Sequence, residues 1–119
     1  MRIGQVILRV SDLDRSIAFW ADTFGLVQVM RAGTFATLDA GDIELTLNEI
    51  ADCPGDDSLT EIVFEVDDVR SAHSELASRG VPFEVEPRAV TSDGARELWA
   101  AHFHDPDGHL ASVVGWVDS

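Results

Sequence analysis

The sequence predicts an α+β fold made of two βαβββ modules. Three observations predict it: a switch of hydrophobic period inside Gln5–Gly25, the return of that switch from Glu61, and a run of short strand-like segments after each. In the first stretch Gln5, Ile7 and Arg9 alternate with Val6, Leu8 and Val10, the period-2 signature of a strand with two unlike faces. Leu13, Ile17, Trp20 and Phe24 then fall on one helical stripe. Ser11 or Asp12 caps its start, and Gly25 ends it in the left-handed conformation that glycine adopts without strain.

The rest of the first half reads as strands over residues 26–31, 34–38 and 43–48, separated by Ala32-Gly33 and by Asp39-Ala40-Gly41-Asp42. In the last of these, Ile43, Leu45 and Leu47 oppose Glu44, Thr46 and Asn48. Residues 51–58 carry Pro54, Gly55, Asp56 and Asp57 without periodicity and read as a linker. Module one is therefore 1–50 and module two 59–119. A shift of 56 positions lays Gln5 on Glu61, Val10 on Val66 and Asp12-Leu13 on Asp68-Val69. Strand, cap, helix and stop agree together, which marks a repeat. In the second half Asp67 or Asp68 caps a helix with Val69, Ala72 and Leu76 on its stripe, and Gly80 ends it. Strands follow over 81–85, 97–104 and 110–117. Glu86–Gly94 is expected as a loop and Asp105-Pro106-Asp107-Gly108 as a turn.

The 119 residues suffice for one domain made of these modules, with 45% apolar residues to build a core. No apolar run reaches the ~18–20 residues of a membrane span, and no signal peptide is read at the start. The single cysteine, Cys53, allows no intrachain disulfide and is expected as an incidental loop thiol; a reducing, cytoplasmic location is the matching expectation. Eight basic against 22 acidic residues leave a charge of −14, which argues against nucleic acid and favours a cationic partner or a solvated acidic surface.

Each sheet should lay one apolar face under its helix: Val6, Leu8, Val10, Ile43, Leu45 and Leu47 in module one, and Ile62, Phe64, Val66, Ala111, Val113 and Val117 in module two. The opposite faces carry Gln5, Ile7, Arg9, Glu44, Thr46 and Asn48, then Glu61, Val63, Glu65, Ser112, Val114 and Trp116. Alternating polar and apolar groups suit the lining of a small-molecule pocket cupped between the paired sheets.

The stretches QVILRVSDLDRSIAFWADTFGL, DIELTLNE, EIVFEVDDV and HDPDGHLASVVGW resemble the vicinal oxygen chelate superfamily, which includes glyoxalase I, extradiol dioxygenases, and fosfomycin- and bleomycin-resistance proteins. The resemblance covers nearly the whole chain and implies a glyoxalase-like fold, one that serves many chemistries. It also implies metal ligands at Gln5, Glu44, Glu61 and Ser112. Gln5 and Glu44 match one type of glyoxalase I; Glu61 stands where histidine is usual, and Ser112 where a glutamate doubles as catalytic base. A site of Gln5, Glu44 and Glu61 would be all oxygen and would lean to Mg²⁺, Mn²⁺ or Ca²⁺ over Zn²⁺ or Ni²⁺. Glu61, with Glu44, is the replacement candidate for the base.

His102, His104 and His109 fall outside the implied ligand positions and are expected at the solvent-facing surface, as is His73. Trp20 belongs to the core. Trp116 and Trp99 are expected to line the pocket, where aromatic walls hold flat cations. Arg9 would fix a substrate carboxylate or pair with Glu65. Two functions follow from the resemblance. One is a bleomycin-resistance-like protein that sequesters or acts on a toxic or drug-like molecule without metal or with a degenerate metal site. The other is a divalent-metal-dependent lyase or dioxygenase-like enzyme. Both imply a homodimer.

Overall fold

A computed structural model describes residues 3–51 and 57–118, with backbone alone for 57–59. The chain divides into two compact units, Met1–Asp56 with Pro106–Gly108, and Asp57–Asp105 with His109–Ser119. Cys53 and the middle of the expected linker lie outside the described residues. Asp57 and Ser58, expected in that linker, already belong to a strand.

In the first unit the elements are β1 (Gln5–Val10), α1 (Leu13–Ile17), a π-helical continuation (Ala18–Thr23), β2 (Val27–Ala32), β3 (Phe35–Asp39) and β4 (Glu44–Glu49). The sheet order is β1-β4-β3-β2, with β1 and β4 parallel and the other pairs antiparallel. Asp12 is the cap of α1: its side chain accepts from the Arg15 backbone N–H at 3.1 Å. Ser11 is used elsewhere, its hydroxyl and backbone N–H both donating to Asp107 Oδ1 at 2.6 and 3.0 Å.

The helical stripe was expected to run straight to Phe24. Instead, the Phe24 N–H donates to the Phe19 carbonyl at 2.7 Å, five residues back. The wider turn brings Phe19, which lies off the 3.6-residue stripe, into the core beside Trp20. Trp20 is fully buried, with Phe19 and Phe24 edge-on at 5.0 and 5.2 Å. Leu8, Val10, Leu38, Leu45 and Leu47 complete this core on the face that α1 covers. Gly25 has φ 107°, the left-handed stop that the sequence requires.

The second unit repeats the plan with β5 (Asp57–Glu65), α2 (Val69–Ser78), β6 (Phe83–Ser92), β7 (Arg96–His104) and β8 (His109–Asp118). Its order is β5-β8-β7-β6, with β5 and β8 parallel. Asp68, the repeat of Asp12, caps α2 through the Ser71 N–H at 3.2 Å. Residues 86–92, expected as a loop, continue β6 instead. Pro87 sits in that strand because β6 is at the sheet edge, where a missing N–H leaves no ladder bond unmade. The register against β7 shifts between Val85 and Arg88, which steps the pairing past Glu86 and Pro87.

Under α2 lie Ala101, Phe103, Ala111 and Val113, all buried. Gly115 continues that face. A Cβ on it would stand 2.8 Å from the Val66 carbonyl oxygen and 3.0 Å from Val69 Cγ2, so the β5–α2 turn crosses β8 where only glycine leaves room. Val117, expected in the same row, is 43% exposed because the row runs out past the helix. His73, expected at the surface, is half-buried with its ring edge-on to Phe83 at 4.6 Å.

Candidate functional site

In the first sheet the Cα partners Gln5–Glu44, Ile7–Thr46 and Arg9–Asn48 set all six residues on the face away from α1. They form a graded surface. Gln5, Ile7, Arg9 and Glu44 are exposed, Asn48 is half-buried, and Thr46 is buried at 7%. Thr46 Oγ1 donates to Gln5 Oε1 at 2.8 Å and lies 3.4 Å from Thr37 Oγ1 on β3. The Gln5 amide oxygen is therefore already hydrogen-bonded within the sheet.

The second sheet differs at the matching place. Gln5 stands opposite Glu44, but Glu61 stands opposite Leu110, and Ser112 is two pairs further on, opposite Val63. Across β8, Ser112 is opposite His102 of β7. Glu61, Ser112 and His102 thus share the face away from α2. His102 Nε2 lies 3.2 Å from Glu61 Oε2. Ser112 is 1% exposed. Its Oγ and His102 Nδ1 are both buried with no hydrogen-bond partner among the described residues. An uncompensated buried donor or acceptor costs about 1–3 kcal/mol, so two of them on directly opposed residues are an unmet polar demand in this sheet face. Val63 and Glu65 are exposed on this face, and Val114 is half-buried.

Three of the four histidines expected at the surface are half-buried and each meet a carboxylate: His102 with Glu61, His104 Nδ1 with Glu84, and His109 Nδ1 with Asp105 Oδ2 at 2.8 Å. The last also receives the His109 backbone N–H on Asp105 Oδ1, so it is a fixed turn at the start of β8. Of the three, only His102 is placed on Glu61 and Ser112. Sequence spacing set His102 and His104 on one strand face. Which face that was, and that Ser112 adjoined it, required the β7–β8 register.

The tryptophans fall on opposite faces. Trp99 is opposite Gly115 and so lies on the α2 side, while Trp116 is opposite Leu98 and lies on the other. Both border a cleft of about 370 Å³ at the start of α2, with Asp68, Arg70 and Asp118. Each indole carries a guanidinium, Arg70 Cζ 4.4 Å from the Trp99 ring centroid and Arg96 Cζ 4.5 Å from that of Trp116. Trp99, on β7, is thus a cleft residue at the start of α2, held by a cation–π contact from Arg70 of that helix.

The four implied metal ligands are divided between the two units, Gln5 and Glu44 in the first and Glu61 and Ser112 in the second. Gln5 and Glu44 are suitably opposed, but Glu61 is engaged by His102, and Ser112 offers a buried hydroxyl in place of a carboxylate. Among the described residues no three His, Cys, Asp or Glu side chains are grouped as a metal site.

A βαβββ repeat in which each module's first strand pairs in parallel with its last, with one face of each sheet free of helix and mixed in polarity, defines a glyoxalase-like fold. A sequence profile of the Glyoxalase/Bleomycin resistance protein/Dioxygenase superfamily matches residues 2–113, and the chain belongs to that superfamily. It is 30% identical over 116 residues to the metallothiol transferase FosB of Lysinibacillus sphaericus, spanning 90% of this chain and 77% of that protein. It is 30% identical over 126 residues to a probable lactoylglutathione lyase of Vibrio cholerae, spanning 95% and 89%. Among solved structures, a glyoxalase/bleomycin resistance protein/dioxygenase from Alicyclobacillus acidocaldarius superposes with a TM-score of 0.82 at 17% identity, over 98% of this chain and 92% of that one.

Proposed function

We propose that this chain is a small-molecule-binding member of its superfamily that sequesters or acts on a toxic or drug-like compound. It holds that compound against the helix-free sheet faces with its own side chains and without a divalent ion at Gln5, Glu44, Glu61 and Ser112. The observation that carries this reading is the rebuilt donor set of the second sheet, in which Glu61 is joined to His102 and Ser112 replaces the carboxylate. Apolar Ile7 and Val63, 47% and 54% exposed, give each face a contact surface beside its polar groups. The acidity of the chain favours cationic compounds.

A second reading keeps the metal. It is supported by the Gln5–Glu44 opposition and by relatives named metallothiol transferase and lactoylglutathione lyase, and it would make the chain a divalent-metal-dependent lyase or dioxygenase-like enzyme. The two separate on one preparation. Protein purified without chelator is assayed for bound divalent ions, with Glu44→Ala as control, and titrated calorimetrically against cationic glycopeptide antibiotics and flat aromatic cations. The first reading expects saturable binding from that panel and no stoichiometric metal. A stoichiometric ion that Glu44→Ala removes would establish the second. We also propose a cytoplasmic homodimer with no nucleic-acid or membrane partner; no described helix is long and apolar enough to cross a membrane.

A further inference from the structure

Glu61 and His102 are not on neighbouring strands. Glu61 is on β5 and His102 on β7, with β8 between them. Two strand spacings are about 9–10 Å, so the two side chains reach over β8 and meet between Leu110 and Ser112. They can do so because position 112 holds a serine, short enough to lie beneath them. A glutamate there would fill the same space and set a second carboxylate against Glu61. A short side chain at Ser112 thus leaves the room in which Glu61 and His102 meet.

That pair has a chemical consequence. With Nε2 facing a carboxylate, a neutral imidazole keeps its proton on Nε2 and leaves Nδ1 as a bare acceptor. His102 Nδ1 and Ser112 Oγ are both buried and without a partner among the described residues, on directly opposed residues of β7 and β8. One group satisfies both at once: a hydroxyl, which donates to Nδ1 and accepts from the serine O–H. An ordered water would do the same. A bare ammonium could reach Nδ1 but could not accept from Ser112.

We infer that Glu61, His102 and Ser112 form the polar anchor of the ligand site and read a hydroxyl group on the bound molecule. His102 and Ser112 touch the hydroxyl, and Glu61 is a positioning residue that fixes the imidazole tautomer. The inference rests on the proposed small-molecule function and narrows its ligand to a hydroxylated compound, cationic in keeping with the acidic chain.

Tyramine and phenethylamine test it, since they share charge and ring and differ by one hydroxyl. Calorimetric titration of both is paired with imidazole ¹⁵N spectra of histidine-labelled protein. The expected result is tyramine binding about tenfold tighter than phenethylamine, the margin of one satisfied hydrogen bond to a buried site. His102 Nδ1 should read as unprotonated and should shift with tyramine alone. Ser112→Ala, which keeps the volume nearly unchanged, should bring the two affinities within about twofold. Glu61→Gln should redistribute the His102 tautomer while the other three histidines keep theirs. If both amines bind equally and Nδ1 is unmoved, the polar pair holds a structural water, and the inference falls while the small-molecule reading stands. If neither amine binds, and the broader panel is also silent, both fall.

Discussion

Asp93 sits in the turn between β6 and β7, where its Oδ1 accepts the backbone N–H groups of Arg96 at 2.8 Å and Ala95 at 3.0 Å. Those two bonds, Arg96 first and Ala95 second, hold its carboxyl below the ordinary carboxylate range, with a smaller contribution from the Arg96 charge. A depressed native pKa gives stabilisation that is complete above the unfolded-state value and lost as pH falls through the native one. The protection of the Ala95 and Arg96 amides, measured as exchange relative to the intrinsic rate at each pH, should therefore fall in acid, and Asp93→Asn should remove that step from the profile. Equal acid sensitivity in the variant would refute the assignment. The same scale holds what sequence reading could and could not see at the site. The face positions of Gln5, Glu44 and Glu61 were legible because strand alternation marks them. The contact of His102 with Glu61 was not, because it depends on the register of two strands separated by a third.

At the scale of elements, the repeat is carried by like parts in like places. Asp12 and Asp68 cap the two helices through the backbone N–H three residues on, and Gly25 and Gly80 stop them at φ 107° and 103°. The elements diverge where packing differs. The first helix widens into a π turn to bury Phe19, and β8 thins to Gly115 to let the β5–α2 turn pass. Gly115→Ala puts a methyl against a backbone oxygen that cannot rotate away. We expect a loss of about 1–3 kcal/mol, the usual cost of overpacking, seen as a lower urea midpoint with unchanged slope. Stability equal to the parent would mean that the turn relaxes freely. Sequence and structure differ most at β6, where Pro87 and neighbouring polar residues imitate a loop. Only the sheet order shows that an edge strand can carry them.

For the whole molecule, the acidic composition and the exposed apolar residues pull in different directions. A charge of −14 on 119 residues favours separate, solvated chains. Val27, Val29 and Met30 on β2, each at least 47% exposed, favour covering of the faces that bear them. The proposed homodimer resolves this if the apolar faces are where chains meet. Light scattering at physiological salt should give about 26 kDa, twice the 13.0 kDa of one chain. A single 13.0 kDa species across concentrations would overturn it.

The sequence by itself determined the two-module plan, the stops of both helices, each cap to within one residue, the core residue Trp20 and the superfamily. All of these follow from local periodicity, from turn chemistry or from short motifs. Tertiary structure alone decided the parallel pairing of β1 with β4 and of β5 with β8, the offset between the Gln5–Glu44 and Glu61–Leu110 pairs, and the meeting of Glu61 with His102 over Ser112. Those depend on register, which alternation leaves open by any even shift and which only the packed sheet fixes.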